Sequence, residues 1–362
     1  MQIESIEIRN YRLFRDAKLT DLPRMTVVVG ANGSGKSTLF DAFSFLKEAL
    51  THNVTQAVAR RGGFHELVSR GENGPIGLTV KFRESGGRLA TYQLDIASDG
   101  GKAVVEREIL KFRRGQYGKP WHFVDFSRGR GSAITNEAAY GQEGVEQERK
   151  EHVLDDPSVL AIKGLGQFKE FRVVSEFRSL IENWHISDFH ISDARPSAEA
   201  GYAEHLSTRG DNVAQVAQFL YERHRDRFDK VLQVMSERVP GVSRVEARPT
   251  EDGRLVLLYD PRPHPLLAIE EPENQLYPEL LHELVEEFRD YARRGGQVFV
   301  STHSPEFLNG TRLDEIYWLV KEEGFTTIRR ARDSELLRNL IDEGDLPGAL
   351  WKQGLFEGAG PR

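Results

Sequence analysis

The chain of 362 residues has no cysteine, no apolar run long enough to span a bilayer, no internal repeat and no low-complexity linker. Each absence narrows the field. Without cysteine there is neither a disulfide nor a thiolate metal centre, so a bound metal is expected to be a hard ion held by oxygens. Without a membrane-length segment, and with Glu4, Glu7 and Arg9 interrupting any signal-peptide pattern at the amino end, the expected location is the cytoplasm, with no membrane partner. No Asn-Lys-x-Asp sequence is present to read a guanine base, which argues against GTP. The net charge of -7 argues against a uniformly basic nucleic-acid surface, although a local basic groove is compatible with it. A content of 39% hydrophobic and 29% charged residues is enough for one large α/β domain with an insertion, or for two smaller domains.

What is present begins with a β-branched strand, Thr26 to Val29, that runs into Gly30, Ala31, Asn32, Gly33, Ser34, Gly35, Lys36 and Ser37 and then into a helix. These residues fill G-x-x-x-x-G-K-[ST], the phosphate-binding P-loop pattern, in its strand-to-helix setting. Gly30, Gly33 and Gly35 let the backbone turn tightly and point its N–H groups inward. Lys36 is expected to reach the β- and γ-phosphates, and Ser37 to ligate Mg²⁺, while the following helix directs its positive end at the anion. The expected nucleotide contacts run from Gly30 to Thr38.

Around this loop, Gln2 to Ile8 alternates as a half-buried strand, with a turn through Asn10 to Arg15 and a second strand near Ala17 to Leu22. An antiparallel pair feeding a P-loop looks like an ABC-type head. From 74 to 126, four strands separated by Gly-rich or charged turns predict an antiparallel meander, and the polar run from Ser127 to Lys150 predicts a mobile loop. Apolar spacing from about Gln167 to Ile181, and again from Asp211 or Asn212 to Pro240, predicts a helical insertion over 167–241.

The second half of a nucleotide site follows. Pro265 to Ile269 is an apolar strand ending in Glu270, Glu271, Pro272, Glu273 and Asn274. Two carboxylates at the end of a buried strand are costly unless they serve an ion or a proton transfer. A Walker B element gives that reason: Glu270 would hold Mg²⁺ and Glu271 would polarise the attacking water. After one more helix, Pro278 to Ala292, the strand Gln297 to Ser301 ends in Thr302, His303 and Ser304. A histidine in that order fits a residue that senses the γ-phosphate.

Together, the run from Ile3 to Phe14, the P-loop, "IEEPENQLYP" from Ile269 to Pro278 and "VFVSTHSPEFL" from Val298 to Leu308 resemble the SMC/RecF/OLD-like ATPases of the ABC-type group. The ending "LWKQGLFEG" is also similar to the stand-alone bacterial members that lack a coiled coil or a Toprim nuclease domain. The resemblance implies an α/β fold, an ABC-type P-loop ATPase head with an antiparallel β subdomain and a helical insertion. It further implies ATP with Mg²⁺, an ATP-dependent homodimer, and a link to DNA or to a nuclease-type partner protein. On matching positions Glu271 looks like the catalytic base, Glu273 and Asn274 like the start of a D-loop, and His303 like the switch residue.

The sequence departs from the family in one respect. The L-S-x-G or S-D-G-T signature, which binds the γ-phosphate of the partner's ATP, does not occur between Val242 and Pro265. The expectation drawn is a segment absent between Arg254 and Leu258, either through a break in the chain or because the protein lacks it, with Arg254 to Leu257 a strand and Leu258 to Asp260 ending the helix that follows a signature; continuous trans peptides would exclude the break. Two other functions fit the motifs less fully: a nucleotide-sensing scaffold with little hydrolysis, and a transporter-type ATPase subunit. For DNA contact the sequence offers Lys111, Arg113, Arg114, Tyr117, Lys119, Trp121, Arg128 and Arg130, although the acidic balance favours reading them as a solvated hairpin and loop.

Overall fold

The computed structural model describes residues 1–112, 121–139, 145–146, 148–188, 198–199, 204, 213–238, 242–249, 254–261, 265–273 and 278–360. The chain divides into two compact units, one formed by Met1–Asp188 with Pro265–Arg362, the other by Phe189–His264.

The first unit is α/β. It opens with β1 (Gln2–Tyr11), β2 (Phe14–Thr20) and β3 (Met25–Gly30), followed by α1 (Lys36–Thr51), α2 (Val54–Ala59) and α3 (Phe64–Leu67). Then come β4 (Ile76–Arg83), β5 (Leu89–Asp99), β6 (Lys102–Phe112), β7 (Trp121–Ser127), β8 (Arg130–Ile134) and β9 (Arg149–Val153), α4 (Ala161–Leu165), α5 (Arg172–Glu182) and β10 (His185–Asp188). In the second unit lie β11 (Ala198–Glu199), α6 (Val213–Arg223), α7 (Arg225–Arg238), β12 (Val242–Pro249) and β13 (Arg254–Pro261). The first unit resumes with β14 (Leu267–Glu270), α8 (Leu281–Arg293), β15 (Val298–Ser301), α9 (Pro305–Asn309), β16 (Ile316–Glu322), β17 (Phe325–Arg330), α10 (Glu335–Asp342) and α11 (Pro347–Lys352).

A six-stranded sheet, in the order β10-β14-β15-β3-β16-β17, organises the site. It is parallel except for β17. Every residue of β3 is buried, as a strand covered on both faces must be, and this explains its unbroken apolar sequence. Side chains alternate across the sheet. Val28, Phe299, Tyr317 and Leu319 join the core on the α1 side, whereas Val27, Val29, Val300 and Trp318 join the core under α8, α9 and α11. An eight-stranded antiparallel sheet, β2-β1-β4-β5-β6-β7-β8-β9, closes over α1 and α5, with Phe82 stacked on Phe177 at 4.3 Å between ring centroids.

Three expectations need correction. Among its described residues the run from 127 to 150 is not a structureless loop: Arg128 and Gly129 take positive φ, the chain reverses with Ser127 opposite Arg130, and β8 and β9 extend the sheet. The segment set apart by the fold is Phe189–His264 rather than 167–241. Phe177 of α5 packs under the antiparallel sheet, β10 is the edge strand beside β14, and α6 and α7, separated at His224, share the second unit with a sheet of order β11-β13-β12. The proposed helix start at Asp211 or Asn212 lies outside the described residues. Finally, there is no break after Arg254. β13 runs unbroken to Pro261, pairing from Leu255 opposite Pro249 to Asp260 opposite Arg244, so Leu258 to Asp260 are strand and not the end of a helix. Among the described residues no peptide bond is cis, and no helix is long and apolar enough to cross a membrane.

Candidate functional site

The parallel strands deliver three segments to one edge. β3 ends at Gly30, β14 at Glu270 beside Ser301, and β15 at Ser301 beside Val28, so the phosphate loop, the carboxylate pair and Thr302–His303 all leave the carboxyl ends of neighbouring strands. In an open α/β sheet that is where ligands bind.

Between β3 and α1 the loop requires its glycines. Gly35 has φ of 106°, in the left-handed region, and precedes the first helical residue, Lys36. At Gly30 a Cβ would stand 2.4 Å from Ser34 Oγ and 2.8 Å from the Leu319 carbonyl oxygen, so only hydrogen fits there. Lys36 is 6% exposed, and its ammonium donates to the carbonyls of Gly30 at 2.8 Å and Ala31 at 3.3 Å. Burial pushes its pKa down to about 8, with the carboxylates of Glu271, Glu270 and Glu273 pulling it back up. The acidic edge and the loop lysine therefore share one electrostatic neighbourhood.

Glu271 holds its backbone at φ of 45°, uncommon for a non-glycine residue and disfavoured before Pro272. Its N–H donates to the Ser301 carbonyl at 2.9 Å, which anchors the turn to β15. The Glu271 carboxylate lies 3.3 Å from His303 Nε2, with both side chains partly exposed. Burial and then the charge on Lys36 push the His303 pKa down, opposed by Glu271, which favours the neutral imidazole.

The family resemblance gives Glu273 only as the start of a D-loop. In the structure its Oε1 accepts the Thr302 hydroxyl and the His303 backbone N–H, each at 2.7 Å, and so fixes the turn that carries the histidine. Burial raises its pKa, and these bonds offset part of the rise. Its other oxygen is buried with no hydrogen-bond partner among the described residues. Asn274 lies outside the described residues. Ser304 caps α9 through Phe307 N–H at 3.1 Å, placing a helix directly after the histidine.

Ser37 is exposed on the first turn of α1, and Glu270 is half-buried at the end of β14. A hydroxyl with carboxylates is a donor set that fits Mg²⁺, which keeps most of its ligands as water and phosphate oxygens. Among the described residues no group of three or more histidine or acidic side chains could hold a metal by itself. In the basic cluster, Arg128 is paired with Glu106 and Asp99, and Trp121 is buried at 3% exposure, so it offers no face for stacking. Arg113, Arg114, Tyr117 and Lys119 lie outside the described residues.

Comparison with known proteins gives three kinds of likeness. Residues 25–309 match the family described as "AAA domain, putative AbiEii toxin, Type IV TA system". A stretch of 74 residues is 31% identical to the DNA replication and repair protein RecF of Idiomarina loihiensis, covering 20% of this chain and 19% of that protein. Among solved structures, an Smc head bound to the C-winged helix domain of ScpA aligns over 91% of this chain and 97% of its own at 12% identity, with a TM-score of 0.47. The SMC head domain from Thermotoga maritima aligns over 91% and 99% at 12% identity, with a TM-score of 0.40.

Proposed function

The chain belongs to this AAA-domain family, and from that premise we propose that it is an SMC/RecF-like ABC-type member that binds ATP with Mg²⁺ and hydrolyses it. The observation that carries this reading is the pairing of Glu271 with His303 at 3.3 Å on the strand edge whose carboxylates act on Lys36. In the reading, the backbone of Gly30 to Thr38 cradles the phosphates and Lys36 leaves its carbonyl partners for the β- and γ-phosphates. Ser37 and Glu270 would hold the ion, which would supply charge neutralisation to the phosphates. Glu271 accepts the proton of the attacking water. Neutral His303 has a single ring N–H, engaged by the Glu271 carboxylate 3.3 Å from Nε2 in the free protein, and in the reading this N–H turns to donate toward the γ-phosphate, while Glu273 holds its backbone in place.

We further infer that two copies close over ATP and that this closure drives a DNA-linked process or a partner protein. For the DNA link, support comes from the likeness to a DNA replication and repair protein alone, over 19% of that protein's length; the closure rests on the resemblance of the motifs. Sizing the Glu271→Gln protein with and without ATP and Mg²⁺ tests it. Trapped ATP gives a dimer, and an unchanged size counts against closure. Loss of salt-sensitive DNA binding in the double variant Arg113→Glu, Arg114→Glu would support a DNA partner.

One observation favours a second reading. With no signature between Val242 and Pro265 in an unbroken chain, the surface that completes a partner's site is absent from its usual place. A nucleotide-sensing scaffold would bind ATP without turnover. ATP binding by a wild-type protein that releases no phosphate would select it.

A further inference from the structure

Thr326, on β17, is buried at 3% exposure, far in sequence from any motif. Its hydroxyl donates to the backbone carbonyl of Ser34, inside the phosphate loop, at 2.7 Å. Its backbone N–H donates to the carbonyl of Leu13, in the turn between β1 and β2, at 2.9 Å. A Cβ at Gly35 would fall 2.7 Å from Thr326 Oγ1, so the loop and the threonine touch without slack. The same turn reaches the loop by another route: the Tyr11 hydroxyl donates to Asp41, on α1, at 2.7 Å, and Arg12 lies 3.3 Å from it. The loop is thus anchored just before Lys36 by Thr326 and again in the second turn of its helix by Asp41.

The Ser34 carbonyl and the Gly35 N–H belong to one planar trans peptide and point in opposite directions. A bond that pins the carbonyl toward Thr326 therefore aims the Gly35 N–H away from it. We infer that Thr326 is a positioning residue for phosphate binding, one that sets the direction of a loop N–H without touching the nucleotide. The inference rests on the ATP-binding reading of the same loop.

The test uses the full chain with Thr326→Val, which keeps the shape and removes the hydroxyl, and Thr326→Ser, which keeps the hydroxyl. Dissociation constants for ATP and ADP are measured with Mg²⁺, together with KM and kcat. One misdirected hydrogen bond to a phosphate predicts an increase of about tenfold in Kd and KM for Thr326→Val, with kcat changed by less than about threefold. Thr326→Ser is expected to return both to within about threefold of wild type. A purely structural threonine would lower the thermal midpoint of the free protein and leave Kd unchanged, and that result overturns the inference. Failure of serine to restore affinity overturns it as well. A wild type that binds ATP no better than Lys36→Ala would instead remove the premise, and the inference with it.

Discussion

Glu108, on β6, is fully buried and offers the sharpest test of how the antiparallel sheet is held to its helices. Its carboxylate accepts the Tyr92 hydroxyl at 3.0 Å, the Ile162 N–H at 3.1 Å and the Ala161 N–H, the last two at the start of α4. Burial pushes its pKa up from 4.5 to about 7 against the pull of those three donors. The folded protein thus keeps a proton between these values that the unfolded chain releases. Stability from this group is full below 4.5 and is lost as pH rises through about 7. At about 1.4 kcal/mol per pH unit, the interval amounts to about 3 kcal/mol.

Glu108→Gln removes the charge, keeps one carbonyl oxygen for two of the donors and turns an amide toward the third, a loss of about 1–3 kcal/mol. The variant should therefore be less stable than wild type at pH 5 and equal or more stable at pH 8, the gap closing by about 3 kcal/mol. Glu137, also pushed up to about 7 by burial, titrates in both proteins and cancels from the comparison. Urea unfolding of both at pH 5, 6, 7 and 8 reads the difference. A gap that stays constant across that range would refute the reasoning.

Gly35→Ala forces a left-handed backbone on an ordinary residue, at roughly 1–2 kcal/mol, and sets a methyl 2.7 Å from Thr326 Oγ1. Nucleotide titration should show ATP affinity reduced about tenfold or more, with a smaller loss for Gly33→Ala, whose Cβ meets nothing within 4 Å. Arg289, 7% exposed, donates to both oxygens of buried Glu315 and to the Gly310 carbonyl. Its replacement by alanine strands a buried carboxylate and should lower unfolding free energy by about 3–5 kcal/mol, visible as a shifted urea midpoint. Glu273→Ala frees the Thr302–His303 turn and should lower kcat about tenfold or more while ATP still binds. An unchanged kcat would show that the clamp is not needed.

The phosphate loop was legible because its chemistry is a backbone requirement written into residue types: glycine where φ is positive or where Leu319 crowds, lysine and serine at the helix start. The carboxylate pair and His303 were legible because buried parallel strands read as apolar runs, which makes the charges at their ends conspicuous. β8 and β9 escaped because their outward residues are polar and the reversal depends on Arg128, an unexpected residue at positive φ. The second half of β13, Leu258 to Asp260, reads as a helix end only under the family pattern, whereas the continuous apolar run from Leu255 to Tyr259 describes one strand. The Glu273 clamp and the Thr326 anchor join positions 29 and 292 residues apart, which no local pattern reports.

The central claim is that Glu271 acts on water at a phosphate held by the Gly30 to Thr38 loop. Phosphate release by wild type and Glu271→Gln, with ATP binding followed in parallel, tests it most directly. The account predicts that hydrolysis falls by about a hundredfold or more in the variant while ATP affinity is retained. Equal rates in the two proteins would contradict it.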